Sequence, residues 1–192
     1  MLRQTMPSLR KLLIILAASA AVTACSTYKP VDETFQAALT QPYTLDSGDR
    51  VRVTVFGETD LTNSYSVDKA GFIAFPLIGS VEARGRTPQE LESQLAGKLR
   101  QGFLRNPDVS VEIERYRPFF IMGEVSQGGQ YSYVPGMTVQ NAIAIAGGFS
   151  PRALQDNADI TRQVNGNVMN GRVPLSDPIL PGDTIYVRER LF

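Results

Sequence analysis

The chain has 192 residues, with 19 basic and 19 acidic side chains, one cysteine, no histidine and no tryptophan. That inventory excludes Ser-His and Cys-His nucleophile pairs, zinc sites built on histidine or several cysteines, and haem ligation. Beyond residue 24, 16 basic groups face 19 acidic ones without the clustered positive charge that nucleic acid requires, so no nucleic-acid partner is expected.

Residues 1–11 carry Arg3, Arg10 and Lys11 and no acid, and Leu12–Ala21 form an uninterrupted apolar run. This is the order of a secretory signal. As a helix the run is about 15 Å long, roughly half of a hydrocarbon core, which is too short for a permanent span. Small residues then lead to Val22-Thr23-Ala24-Cys25, which resembles the lipobox of bacterial lipoproteins. The resemblance implies a signal peptide over 1–24 and lipidation of Cys25, with Ser26 behind it favouring the outer membrane. A lone exported cysteine has no disulfide partner, and more than one acyl chain makes anchoring stable. Residues 25–44 hold two prolines and no sustained periodicity; they read as a lipidated terminus and a tether.

From Leu45 the pattern changes. Val51, Val53 and Val55 alternate with Arg50, Arg52 and Thr54, the signature of a half-buried strand whose polar row faces water. Short strands follow at 64–68, 71–75 and 80–84, separated by Gly or Pro. Residues 86–104 switch to helical spacing. Thr87 and Glu90 form a T-x-x-E capping box with Pro88 at the first helical position, and Leu91, Leu95, Leu99 and Phe103 predict one apolar stripe that packs on the sheet. Residues 108–116 alternate again.

A second unit begins near Arg117. Residues 119–125 and 128–134 read as strands, with Tyr131 and Tyr133 on one face as candidate sugar contacts or structural residues. Val139, Ala142, Ile143 and Ala146 predict a helix that Gly147 and Gly148 stop. Asn165-Gly166 predicts a hairpin, and the last strand is placed at 183–191. Both units therefore read as α+β. Gly48-Asp49-Arg50-Val51-Arg52-Val53 is echoed by Gly182-Asp183-Thr184-Ile185-Tyr186-Val187. Gly suits a positive φ, and Asp satisfies local backbone donors, so both are read as structural turns rather than catalytic acids. The chain shows no G-x-S-x-G, G-x-x-x-x-G-K-[ST] or G-x-G-x-x-G pattern; no catalytic residue, cofactor or metal is expected.

In this order the motifs resemble the outer-membrane polysaccharide export family. Leu45, Gly48 and Asp49 match its L-x-x-G-D opening, and Val67, Asp68 and Gly71 a V-D-x-x-G turn. Phe75–Gly79, with Pro76 and Gly79, match FPLIG, and Gly85–Leu91 the start of the helix. Gly123–Val125, Gly129–Tyr131, Thr138–Gly148 and Pro181–Val187 resemble a soluble-ligand-binding β-grasp (SLBB) module. The resemblance implies a polysaccharide export domain over 45–116, with a mixed sheet and one helix, and an SLBB domain over 117–192.

It further implies a non-enzymatic lipoprotein, anchored in the outer membrane and facing the periplasm. Copies would form a homo-oligomeric ring that passes capsular or exopolysaccharide, next to an inner-membrane polysaccharide co-polymerase. The best-known members continue into further modules and a C-terminal amphipathic helix. With Phe192 ending the sequence, the expectation is a short member that delivers polymer to a separate outer-membrane β-barrel. The competing expectation is a monomeric periplasmic lipoprotein that binds a small soluble carbohydrate. A carboxylate-based glycan hydrolase ranks last, because no Asp/Glu pair stands out.

Overall fold

The computed structural model describes residues 33–164 and 166–190; Cys25, the signal segment and Asn165 lie outside them. The described chain opens with a short helix α1 (Glu33–Ala37), then β1 (Arg50–Val55), β2 (Asn63–Ser66), β3 (Phe72–Phe75), β4 (Gly79–Glu82), α2 (Pro88–Arg100) and β5 (Val109–Arg115). The valines of β1 are buried and Arg52 is exposed, as alternation requires. In this unit the mixed sheet resolves into two antiparallel pieces: a three-stranded sheet β2-β1-β5 and a β3-β4 hairpin.

Helix α2 forms where its local signals place it. The Thr87 side chain accepts from the Glu90 N–H (3.2 Å), and the Glu90 carboxylate accepts from the Thr87 N–H (2.8 Å). Leu91, Leu95 and Leu99 are fully buried in the first core with Val51, Val53 and Val111, each contributing about 2 kcal/mol by burial. Phe103 does not join them. The helix ends at Arg100, and Gly102 (φ +101°) swings the chain away, leaving Phe103 49 % exposed.

The second unit contains β6 (Phe119–Gly123), β7 (Gly129–Tyr131), α3 (Val139–Ile145), β8 (Asn157–Val164), β9 (Asn167–Pro174) and β10 (Thr184–Val187). Its sheet runs β7-β6-β10-β8-β9. The first strand, β6, and the last, β10, lie side by side and parallel, and every other pairing is antiparallel. The predicted apolar residues of α3 are all buried against the sheet. The predicted hairpin is β8–β9, and the last strand ends at Val187, earlier than expected. Because β7 stops at Tyr131, Tyr131 and Tyr133 do not share a strand: Tyr131 stacks on Phe119, while Tyr133 meets Tyr116 edge-on.

The expected tether gives way to structure from Glu33 onward. Phe35 of α1 is 2 % exposed and sits in the second core, although it precedes the first unit in sequence. The Arg162 guanidinium lies 4.2 Å from its ring centroid, and Arg162 Nη1 donates to the Phe35 carbonyl (3.2 Å). A five-residue helix has little stability of its own, so this seat holds it. Replacing Phe35 by Ala should cost about 3–5 kcal/mol in urea unfolding, whereas Phe103→Ala should change stability by no more than about 0.5 kcal/mol.

Candidate functional site

The two echoed motifs build the same turn twice. At the first, the Asp49 side chain accepts from the Asp46 N–H (2.8 Å) while its own N–H donates to the Asp46 carbonyl (3.1 Å). At the second, Asp183 accepts from the Leu180 N–H (2.7 Å) and donates to the Leu180 carbonyl (3.1 Å). Both carboxylates are buried, at 0 % and 1 % exposure. Gly48 and Gly182 adopt φ of +92° and +87°, a region that L-residues avoid.

Arg117, in the connection between β5 and β6, joins these turns. A Cβ on Gly48 would stand 3.5 Å from Arg117 Cβ, and one on Gly182 only 2.8 Å from Arg117 Nε. The arginine therefore lies between two glycine surfaces. Its N–H donates to Asp49 Oδ1 (2.7 Å), and Nη1 donates to Asp49 Oδ2 (3.2 Å) and to the Tyr43 hydroxyl (2.8 Å). Tyr43 in turn donates to Asp49 Oδ2 (2.6 Å), which closes a triangle. Burial pushes the Tyr43 phenol well above its ordinary range; Arg117 pulls it back and Asp49 pushes it further up.

The second carboxylate has its own partner. Arg162 donates from Nε to Asp183 Oδ1 (2.9 Å) and from Nη2 to Oδ2 (2.7 Å), a two-point pair with both residues buried. Burial raises the Asp183 carboxyl above the usual range, against the opposing pull of Arg162. Beside the Arg117 clasp lies a cleft of about 240 Å³ walled by Tyr43, Tyr116 and Tyr133, with Gln41 and Gln163 at its edge; a second groove of about 540 Å³ holds Asp46, Arg84 and Gly182. The clasp therefore divides two recesses between the units.

The structure brings Gly48, Asp49 and Gly182 together around Arg117, with Asp183 in the matching turn. The other motif residues stay apart. Asp68 accepts from the Phe72 N–H (2.8 Å) in the turn before β3, and the Gly71 carbonyl accepts from Ala83 and Arg84. Pro76 and Gly79 form the tip of the β3-β4 hairpin with Leu77 (φ +66°). Gly123 ends β6, where a Cβ would come within 2.1 Å of the Val187 carbonyl. Gly147 and Gly148 end α3, and Gly148 accepts from the Ser126 N–H (2.9 Å). Sequence reasoning missed Arg117, Tyr43, Arg162 and Phe35.

A family model described as "Polysaccharide biosynthesis/export protein" matches residues 37–114, and one described as "SLBB domain" matches residues 118–171. The chain carries a domain matching the export family followed by one matching the SLBB family. Similar curated proteins are the exopolysaccharide production protein ExoF of Rhizobium meliloti (33 % identical over 46 % of this chain) and the polysialic acid transport protein KpsD of Escherichia coli (28 % over 77 %). Another is the EPS I polysaccharide export outer membrane protein EpsA of Ralstonia solanacearum, 31 % identical over 58 % of this chain. The matches cover 21 %, 28 % and 29 % of those proteins, so the chain spans less than a third of each. The export domain supplies Asp49 to the clasp and the SLBB domain supplies Gly182. The folded SLBB unit also runs past residue 171, since β10 completes the middle of its sheet.

Two predictions follow from the clasp. Arg117→Ala removes one partner of the buried Asp49 and should cost about 3 kcal/mol, splitting a shared urea transition into separate unfolding of the two domains. Because the fold raises the Tyr43 phenol, its contribution is complete below the unfolded pKa of about 10 and is lost as pH rises beyond it. Wild type should therefore lose stability above that pH, and Tyr43→Phe should start about 1 kcal/mol lower at neutral pH but show a shallower alkaline fall.

Proposed function

We propose that this chain is a non-enzymatic subunit of a polysaccharide export translocon, tethered to the outer membrane through lipidated Cys25 and facing the periplasm, where copies form a ring around the passing polymer. The observation that carries the reading is the export–SLBB tandem held as one body by Arg117, in a chain similar to proteins named for polysaccharide export and transport. A conduit for a hydrated polymer needs subunits that keep a fixed shape, and a two-domain subunit keeps it only if its junction is stiff. Both sheets also end in strands open for lateral contacts: β2 and β5 in the export domain, β7 and β9 in the SLBB domain. The partners of this reading are an inner-membrane co-polymerase that feeds the ring and a separate outer-membrane β-barrel that receives the polymer.

Deleting the gene should abolish surface polysaccharide and leave polymer inside the cell, and gently solubilised protein should show rings by electron microscopy. A monomer from cells whose surface polymer is unaffected would refute the proposal. Cys25→Ser should move the protein from the membrane to the soluble periplasmic fraction and abolish labelling with radioactive palmitate.

A further inference from the structure

The SLBB sheet has one covered face and one open face. Phe119 and Ile121 of β6 and Ile185 and Val187 of β10 point into the core under α3. Alternation therefore turns Phe120, Met122 and Tyr186 outward, where they are 41 %, 50 % and 45 % exposed. Register sets Tyr186 between Met122 and Asp159, with Arg172 opposite Asp159 on the edge strand β9. The next row places Thr161 opposite Asn170.

Along these rows lies a concavity of about 520 Å³, lined by Asp159, Thr161, Asn170, Arg172, Tyr186 and Arg188. Asp159 accepts from Arg172 Nε through one oxygen (3.0 Å) and from Arg188 Nε through the other. Both guanidiniums are held by Nε alone; their Nη nitrogens have no protein partner among the described residues. Two cations sharing one anion leave the cluster with a formal surplus of one positive charge. Thr161 donates to Asn170 Oδ1 (2.6 Å), and the Asn170 amide N–H groups have no partner among the described residues. The Tyr186 ring lies over Gly123, where a Cβ would stand 3.1 Å from Cε2.

This set is specific in what it offers. Guanidinium Nη groups donate and never accept, and their fork geometry fits a carboxylate. An aromatic face packs against the C–H face of a pyranose ring, and an amide reaches hydroxyls. Because Asp159 already holds both guanidiniums, little of their ordering remains to be done on binding. We propose that this open face binds the carboxylate-bearing sugar units of an acidic polysaccharide. The proposal rests on the export reading above and names the class of polymer. A second copy of the chain is the other occupant that this face could take, and the oligomeric state of the variants tells the two apart.

The test is calorimetric titration of the purified full chain with tetragalacturonate and with an α-2,8-linked tetrasialic acid, using maltotetraose as the neutral control. At least one acidic oligosaccharide should bind and maltotetraose should not. Arg172→Gln, Arg188→Gln and Tyr186→Ala should each weaken binding about tenfold with unfolding midpoints close to wild type. Failure of both acidic sugars to bind, equal binding of maltotetraose, or binding indifferent to all three substitutions would each overturn the proposal. So would a change of oligomeric state in Tyr186→Ala with sugar binding intact, which would make the face an interface between copies. If gene deletion stops export but the double arginine variant restores it fully, the export reading stands and this site falls.

Discussion

The junction between the two domains is built around Arg117. Arg117 fits against the second domain because Gly182 presents bare backbone to its guanidinium, while on the other side Gly48 lies at ordinary contact distance. A methyl group at Gly182 would overlap the guanidinium, and both glycines hold a φ that other residues resist. Both glycines let their turns form, and Gly182 also leaves room for the arginine. Its charge is then matched by a carboxylate that three other donors also hold, namely the Asp46 and Arg117 N–H groups and the Tyr43 hydroxyl. A buried ion is tolerable only when its lone pairs are filled in this way.

The second turn uses the same chemistry for a different purpose. Asp183 pairs with Arg162 within the SLBB domain, and Arg162 spends its remaining reach on the Phe35 ring and carbonyl. The pair thereby fixes the segment that precedes the export domain. Residues 33–44 start in the core of the second domain, pass the tyrosine cleft and enter the first domain at Leu45, whose N–H donates to the Arg86 carbonyl. The chain crosses the junction twice, once here and once at Arg117, and both crossings touch Tyr43.

What could be read from the sequence was whatever is decided locally. The Thr87–Glu90 cap, the leucine stripe of α2 and the valine alternation of β1 depend on neighbours within a few residues, and all three appear as the spacing predicts. The twin turns were legible for the same reason. Phe103 was misread because helical period says nothing about where a helix ends; Gly102 held that information. Arg162 could have been found. Ala158 and Ile160 alternate with it on the inward side of β8, and an arginine on an inward position requires a buried acid. Arg117 and Phe35 were out of reach, since one stands between strands where no period applies and the other owes its position to a seat built more than a hundred residues later. The open-face cluster lay hidden too, because Asp159, Arg172 and Arg188 meet only through strand register.

The seat of Phe35 also fixes a length. Nine residues lie between it and Cys25, and the ten steps that join them cover only about 35 Å when fully extended. Were Cys25 acylated as proposed, the leash would start from the SLBB core, and this domain would be the one moored close to the lipid surface. A pull on such an anchor would be delivered through Phe35 to Arg162 and Asp183, deep in the body, so the mooring would hold for as long as that core does.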